Sequence, residues 1–173
     1  MVVSIEELLL DSARRMHAAK PEMDALTEQD ALQEVQLIDV RLETLTSTAW
    51  LLFDCRQAIQ LRIPNTAVLV VKGVRRLVWS GEEWGRGPRT AWNVVGSTPL
   101  AREGIFSLKL AFFPNARLEL EALSAEFFVG NVPGLSDAPP DFVEDEEETI
   151  RADMASWQST FEPVAATFLD RVT

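Results

Sequence analysis

One histidine, His17, and one cysteine, Cys55, are all the imidazole and thiol that this 173-residue chain holds. A Ser-His-Asp or Cys-His relay would have to run through His17, as would any histidine-based metal site. His17 falls on a segment of helical periodicity, where a half-exposed helix residue needs no chemistry to explain it. Cys55 shares the apolar face of a strand pattern with Leu51 and Phe53, which implies a buried, inert thiol. This inventory argues against zinc, and no catalytic motif, metal or cofactor is expected.

The 27 Asp and Glu residues do not by themselves make an enzyme, because acid–base work needs two carboxyls in one cleft with different environments. Asp39 and Asp54 are the best internal candidates, on adjacent strands and one face. Each is expected beside an arginine, Asp54 by Arg41 and Asp39 by Arg56, and such pairing favours ionised structural roles.

Two other constellations could recognise a ligand. Gly81-Glu82-Glu83-Trp84-Gly85-Arg86-Gly87-Pro88-Arg89 has glycines that would let backbone amides approach an anion, and arginines to supply charge. It lacks the lysine and Ser/Thr of a phosphate-binding P-loop, and no dinucleotide fingerprint fits. Lys72, Arg75, Arg76, Arg86 and Arg89 are interleaved with Trp79, Trp84 and Trp92, a mixture suited to stacking on single-stranded nucleic acid and equally to interface hot spots. Arg75, Arg76, Trp84, Arg86 and Arg89 are therefore the candidate ligand-binding set.

Charge decides between these readings. The net charge is −11, which opposes nucleic-acid phosphates and anionic membranes and attracts basic partners. Residues 1–60 hold five Lys/Arg against eleven Asp/Glu, residues 61–120 nine against four, and residues 121–173 two against twelve. The acidic ends are expected to neutralise the basic middle in the folded state, the alternative being a local anion site. Five consecutive acids, Glu144, Asp145, Glu146, Glu147 and Glu148, exceed what a helix dipole needs at its N-terminus and are the candidate partner-binding residues.

The apolar runs Ala49–Phe53 and Ala67–Val71 are five residues long, against about 20 needed to span a bilayer. No basic residue precedes the first apolar stretch, which carries Glu6 and Glu7, so the layout of a secretory signal is missing. With one cysteine, no internal disulfide can form, and a cytoplasmic location is expected.

The elements that must position these residues follow from periodicity. Ser4-Ile5-Glu6-Glu7 has the form of a capping box, and the spacing after it predicts a helix over 5–19, stopped by Pro21. Thr27–Val35 is open between a short helix and a strand lead-in. Ile38, Val40 and Leu42 alternate with polar residues, as do Leu51, Phe53 and Cys55. Cross-strand charge then predicts a hairpin with Leu42 opposite Phe53, Val40 opposite Cys55, and Thr46–Ala49 as its loop.

Thr66–Val71 is a β-branched run that continues to Trp79 as one strand bent at Gly73. The segment 81–99 reads as an irregular connection. Phe106, Leu108, Leu110 and Phe112 alternate cleanly. With Pro114-Asn115-Ala116 as the loop, Phe112 is expected opposite Leu118, Leu110 opposite Leu120 and Lys109 opposite Glu121. A turn at 131–134 precedes a helix capped by Asp141, with Ile150, Met154 and Trp157 on one face. A last short helix is expected from Thr160 to Leu169.

These readings make residues 1–173 one α+β domain, an antiparallel five-stranded meander sheet with N- and C-terminal helices packed on one face. The function they favour is an acidic protein-binding protein, an inhibitor or immunity-type neutraliser of a basic protein partner, with neither membrane nor nucleic acid involved. The second reading is a sheet-based module that binds a small anionic or nucleotide ligand at the 81–92 loop.

Overall fold

Thr66–Lys72 combines threonine, valine and leucine in a run that suits a strand buried on both faces, and it lies at the centre of the computed structural model of the chain. The structure describes residues 3–10, 19–82 and 90–170. Along it run β1 (Val3–Ser4), α1 (Ile5–Leu10), β2 (Gln36–Glu43), β3 (Thr48–Asp54), β4 (Thr66–Lys72), β5 (Arg76–Gly81), β6 (Trp92–Arg102), β7 (Ile105–Phe113), β8 (Ala116–Ala122), β9 (Ser124–Asn131), α2 (Glu147–Ala152) and β10 (Thr160–Leu169). The strands neighbour one another in the order β1-β10-β9-β4-β3-β2-β6-β7-β8-β5. Every ladder between them is antiparallel.

A bent ribbon organises this order. β4 pairs with β9 from Thr66 opposite Gly130 to Lys72 opposite Ser124. Beyond the bend, β5 pairs with β8 from Arg76 opposite Glu121 to Gly81 opposite Ala116. The two ladders are out of step by one residue, and that residue is absorbed at the corner. There the Leu123 N–H donates to the Lys72 carbonyl at 3.0 Å and the Arg75 N–H to the Glu121 carbonyl at 2.8 Å. Gly73 takes φ +67°, and a Cβ on it would lie 2.8 Å from the Leu123 side chain. The bend at Gly73 is thus as the glycine suggests, and both the left-handed backbone and the space require that residue.

The corner folds the sheet so that its halves face a common interior. Ala49, Leu51 and Phe53 of β3, Ala67, Leu69 and Val71 of β4, and Phe127 of β9 meet Phe106, Leu108, Leu110 and Phe112 of β7 and Leu118 and Leu120 of β8 in one core. The outward face of β3, β4, β9 and β10 is apolar too. Leu52, Val68, Val70, Phe128 and Ala166 form a second core with Ile5, Val132, Ala155, Trp157 and Phe161. The cover is α1 together with the segment 132–159, called here the arm.

This architecture overturns the five-stranded meander with helices packed on one face. Among the described residues there are ten strands and two helices of six residues each. The capping box does form: the Glu7 N–H donates to Ser4 Oγ at 3.1 Å and the Ser4 N–H to Glu7 Oε2 at 2.9 Å. The helix it opens is described over Ile5–Leu10, residues 11–18 lie outside the described ones, and Ala19, the expected last helical residue, bridges to Ala165 instead. Thr27–Val35 is a series of turns, neither helix nor strand. Thr160–Leu169 has the expected limits but is strand β10. Its Pro163 sits where the ladder with β9 skips a residue, so the missing N–H costs little. Within the expected irregular connection, Trp92–Pro99 belongs to β6. Gly96 follows a bulge there, and Pro99 lies beyond the reach of β2, which pairs with β6 only at Gln36 and Leu37.

Both hairpin registers also differ from expectation; Val40, Leu51 and Phe53 and the apolar residues of β7 share the expected face, but the irregularity between Leu37 and Asp39 turns Ile38 to the second core. In the first, Val40 faces Leu51 and Leu42 faces Ala49, with 44–47 as the loop and Ser47 at φ 51°. In the second, Leu110 faces Leu118, Phe112 faces Ala116, and Lys109 faces Glu119, which leaves 113–115 as a three-residue loop. An even slip keeps every apolar side chain on the same side, so alternation cannot tell these registers apart. The charge pairs that favoured the expected ones are worth at most about 1 kcal/mol each when exposed.

Gly130 gives a test of the second core. A Cβ there would meet the Glu162 carbonyl oxygen at 2.4 Å and Pro163 Cα at 2.8 Å, both backbone atoms, whereas one on Gly134 (φ +87°) would meet nothing within 4 Å. Overpacking costs about 1–3 kcal/mol and a left-handed alanine about 1 kcal/mol. In urea melts Gly130→Ala is therefore expected to lose more stability than Gly134→Ala, and the reverse order would contradict the β9–β10 packing.

Candidate functional site

The arm is fastened to the sheet at three places, and the acids it carries are the candidate site. At its start the side chain of Asn65 acts as a backbone surrogate: its Oδ1 accepts from the Val132 N–H at 2.9 Å and its Nδ2 donates to the Val132 carbonyl at 3.0 Å. At its end the Trp157 indole Nε1–H donates to Asp39 Oδ2 at 2.6 Å. Arg41 stacks over the same indole at 5.0 Å and reaches Glu6 at 3.5 Å.

The middle fastening is a buried clasp. Asp54 ends β3 and Arg56 follows two residues later, their side chains only 1% and 3% exposed. The guanidinium grips Asp54 with Nε at 3.0 Å and Nη2 at 2.6 Å from Oδ2. Its remaining donors go to the arm: Nη1 to the Ser136 and Ala138 carbonyls at 3.2 Å each and to Asp153 Oδ2 at 3.1 Å, and Nη2 to the Asp153 carbonyl at 2.7 Å. Burial alone would lower the Arg56 pKa, but the hydrogen bonds and charge of Asp54, then of Asp153, outweigh it and hold the guanidinium above its ordinary value. Partial burial likewise works to raise Asp153, and is more than offset by hydrogen bonds from Ser136 and the charge of Arg56, which leave its carboxyl below the usual range.

Residues 136–153, held by this clasp, carry eight carboxylates against the single cation Arg151. Asp141 Oδ1 accepts from the N–H groups of Val143 and Glu144 at 2.9 and 3.0 Å, which lowers its pKa. Asp141 thus closes a turn and does not cap the expected helix: α2 covers only Glu147–Ala152 behind Glu146, which makes no side-chain cap hydrogen bond, and Met154 and Trp157 lie beyond it. Glu144, Glu146, Glu147 and Glu148 are exposed and Asp145 is half-buried. Asp145 accepts from the Asp141 N–H at 2.8 Å, and Glu147 pairs with Arg151 at 2.6 Å. A cleft of about 360 Å³ beside α2 is lined by Asp39, Leu52, Arg151, Met154 and Trp157, among others.

The other expected groupings fare differently. Arg75 and Arg76 are exposed at the corner and on β5, and Arg76 pairs with Glu119 at 3.1 Å. Trp84, Arg86 and Arg89 lie outside the described residues, as does His17. Trp79 meets Trp92 edge-on with ring centroids 5.3 Å apart, and Phe112 at the same distance. Cys55 is buried, and burial with the Asp54 charge pushes its thiol pKa far up. Neither expected arginine pair forms across β2 and β3: Asp39 faces Leu52 and serves Trp157, Arg41 faces Trp50, and Asp54 finds Arg56 on its own chain segment. Lys72 to Glu126, at 2.7 Å, does join the basic middle to the acidic last third. Sequence reasoning missed the Asn65, Trp157 and Asp153 fastenings; the Asp54-Cys55-Arg56 spacing was the one local signal for the clasp.

Among the described residues, no three His, Cys, Asp or Glu side chains gather as metal ligands, and no helix is long and apolar enough to cross a membrane. No protein-family model matches the chain, and no curated protein or solved structure matches it either.

The clasp predicts its own mutational and pH behaviour. Arg56→Ala strands buried Asp54, so urea melts are expected to show a loss of about 3–5 kcal/mol; a loss below about 1 kcal/mol would mean that the arm is held by other contacts. Because the Asp153 pKa is lowered by folding, its contribution is present at neutral pH and is lost as pH falls below about 4, through the lowered value of the folded state. Asp153→Asn is expected to be less stable than the parent at pH 7 and to lose less stability on acidification.

Proposed function

We propose that this chain is an acidic protein-binding protein that inhibits or neutralises a basic protein partner, in the manner of an immunity protein, and that the arm supplies the contact. The observation that carries the reading is the exposed set Glu144, Glu146, Glu147 and Glu148 on a segment that Arg56 holds to the sheet at both Ser136 and Asp153. An acidic surface attracts a cationic partner over distances of about a Debye length and raises its association rate. Rigid attachment adds to this, since ordering a mobile segment on binding would cost affinity. In this reading the protein works in the cytoplasm, where a single reduced thiol is ordinary.

The partner is to be found by pull-down from the native cell, and association then measured by stopped flow at several salt concentrations. Replacing Glu146, Glu147 and Glu148 together by Gln is expected to leave the fold intact, since surface changes usually stay within about 0.5 kcal/mol each. Association is expected to slow and its salt dependence to flatten. An unchanged rate and salt slope would reduce these acids to a solvated helix start.

A further inference from the structure

We propose that two copies of this chain join antiparallel through their β5 edges, about a two-fold axis at Trp79. β5 is the last strand in the spatial order and pairs with β8 alone among the described strands. Arg76, Val78, Trp79, Ser80 and Gly81 are exposed. Such an edge is a row of backbone donors and acceptors open to another strand.

The phase of the ladder limits how it can be used. The Glu82 N–H donates to the Asn115 carbonyl at 3.1 Å, one step beyond Gly81 opposite Ala116. In an antiparallel pair the bonded residues alternate, so Ser80, Val78 and Arg76 also turn their backbone groups to β8. Leu77, Trp79 and Gly81 turn theirs outward. A second β5 must therefore set outward residues against outward residues, and the dyad must fall on a residue rather than between two.

Side chains then choose the residue. Centred on Trp79, the pairing sets Arg76 against Glu82 at both ends, Val78 against Ser80, Leu77 against Gly81 and Trp79 against its twin. Centred on Val78 it leaves Arg76 against Ser80, and centred on Ser80 it buries Glu82 against Val78; neither pairs opposite charges. The Trp79 centre alone gives charge complementarity, and it does so twice. It also covers the most conspicuous apolar group of the edge. Trp79 is 44% exposed yet already held by Trp92 and Phe112, so little rotamer freedom remains to be lost on association. Gly81 leaves room for Leu77 opposite it. The acidic arm, on the outer face of the other half of the sheet, stays clear of the contact.

Full-length protein tests this by sedimentation across concentration and by thiol cross-linking. Val78 and Ser80 would form a non-hydrogen-bonded pair with Cα atoms about 4.5 Å apart, within reach of a disulfide, and buried Cys55 does not compete. A mixture of the V78C and S80C variants is expected to give a cross-linked dimer under mild oxidation that neither variant gives by itself. R76E should weaken the dimer about tenfold, since it turns two ion pairs into two repulsions, and R76E/E82R should restore it. A monomer at every concentration overturns the proposal. So does a dimer that shows no V78C–S80C cross-link or no rescue by the double charge swap, because it would use another face.

Discussion

At Gly73 two long strands turn together, and the turn depends on Leu123 occupying the place where any larger residue would put its Cβ. One strand runs β4 to β5, the other β8 to β9, and the one-residue difference between their two ladders is spent at this corner. Without the turn the ten strands would form an open sheet with two apolar faces to cover. With it, the inner faces of β3, β4 and β9 meet those of β7 and β8, and the larger core is completed by Leu26, Leu32 and Val35 from the turns before β2 and by Leu61 from the β3–β4 connection. The outer face of β3, β4 and β9 stays apolar because Val68, Val70 and Leu52 have nowhere else to point, and this obliges α1 and the arm to lie where they do.

The arm is poorly equipped to hold itself there. Its buried residues Val132, Ile150, Ala155 and Trp157 are scattered among acids that repel one another, and its only regular element is the six-residue α2. Burying a guanidinium is costly in itself. The cost is offset here because Asp54 and Asp153 provide charge and two further carbonyls of the arm accept its hydrogen bonds. What the clasp contributes above all is position, since a bidentate grip on Asp54 leaves the remaining donors aimed in one direction. Asn65 and Asp39 fix the two ends in the same way, by a specific hydrogen bond rather than by area.

Charge is distributed accordingly. Arg75, Arg76, Lys109 and Arg117 belong to β5, β7, β8 and the corner, while the acids from Glu144 to Glu148 ride on the arm over the other half of the sheet. Compensation across a contact occurs at Lys72 and Glu126, while on the arm itself Arg151 pairs with Glu147. The arm's exposed acids and the aromatic, arginine-bearing strand β5 thus lie on different halves of the sheet, although each half also carries charges of the other sign, Arg41 and Lys72 on one and Glu119 and Glu121 on the other.

The amino-acid order by itself determined which face most residues of β3 and β7 take. Alternation in Phe106–Phe112, the glycine bend, the capping box at Ser4 and the asymmetry of charge were legible, because period-two burial and local caps depend on neighbours within a few residues, whereas the bulge that puts Ile38 and Val40 on opposite faces left no such mark. Register was not legible in either hairpin, since a two-residue slip preserves every face and only the turn and the strand beyond choose between slips. Thr160–Leu169 looked helical from Thr160 and Pro163, and became a strand because β9 offered a ladder with an irregularity where the proline falls. The arm's half of the clasp was not legible for a related reason. Arg56 lies 80 residues or more from Ser136, Ala138 and Asp153, and a local charge pattern could assign it only to nearby strands. Contacts across such separations cost the same loop-closure entropy for many possible partners; the tertiary structure decided among them, because only the folded sheet brings the arm's carbonyls within reach of a buried guanidinium that must satisfy every donor it has.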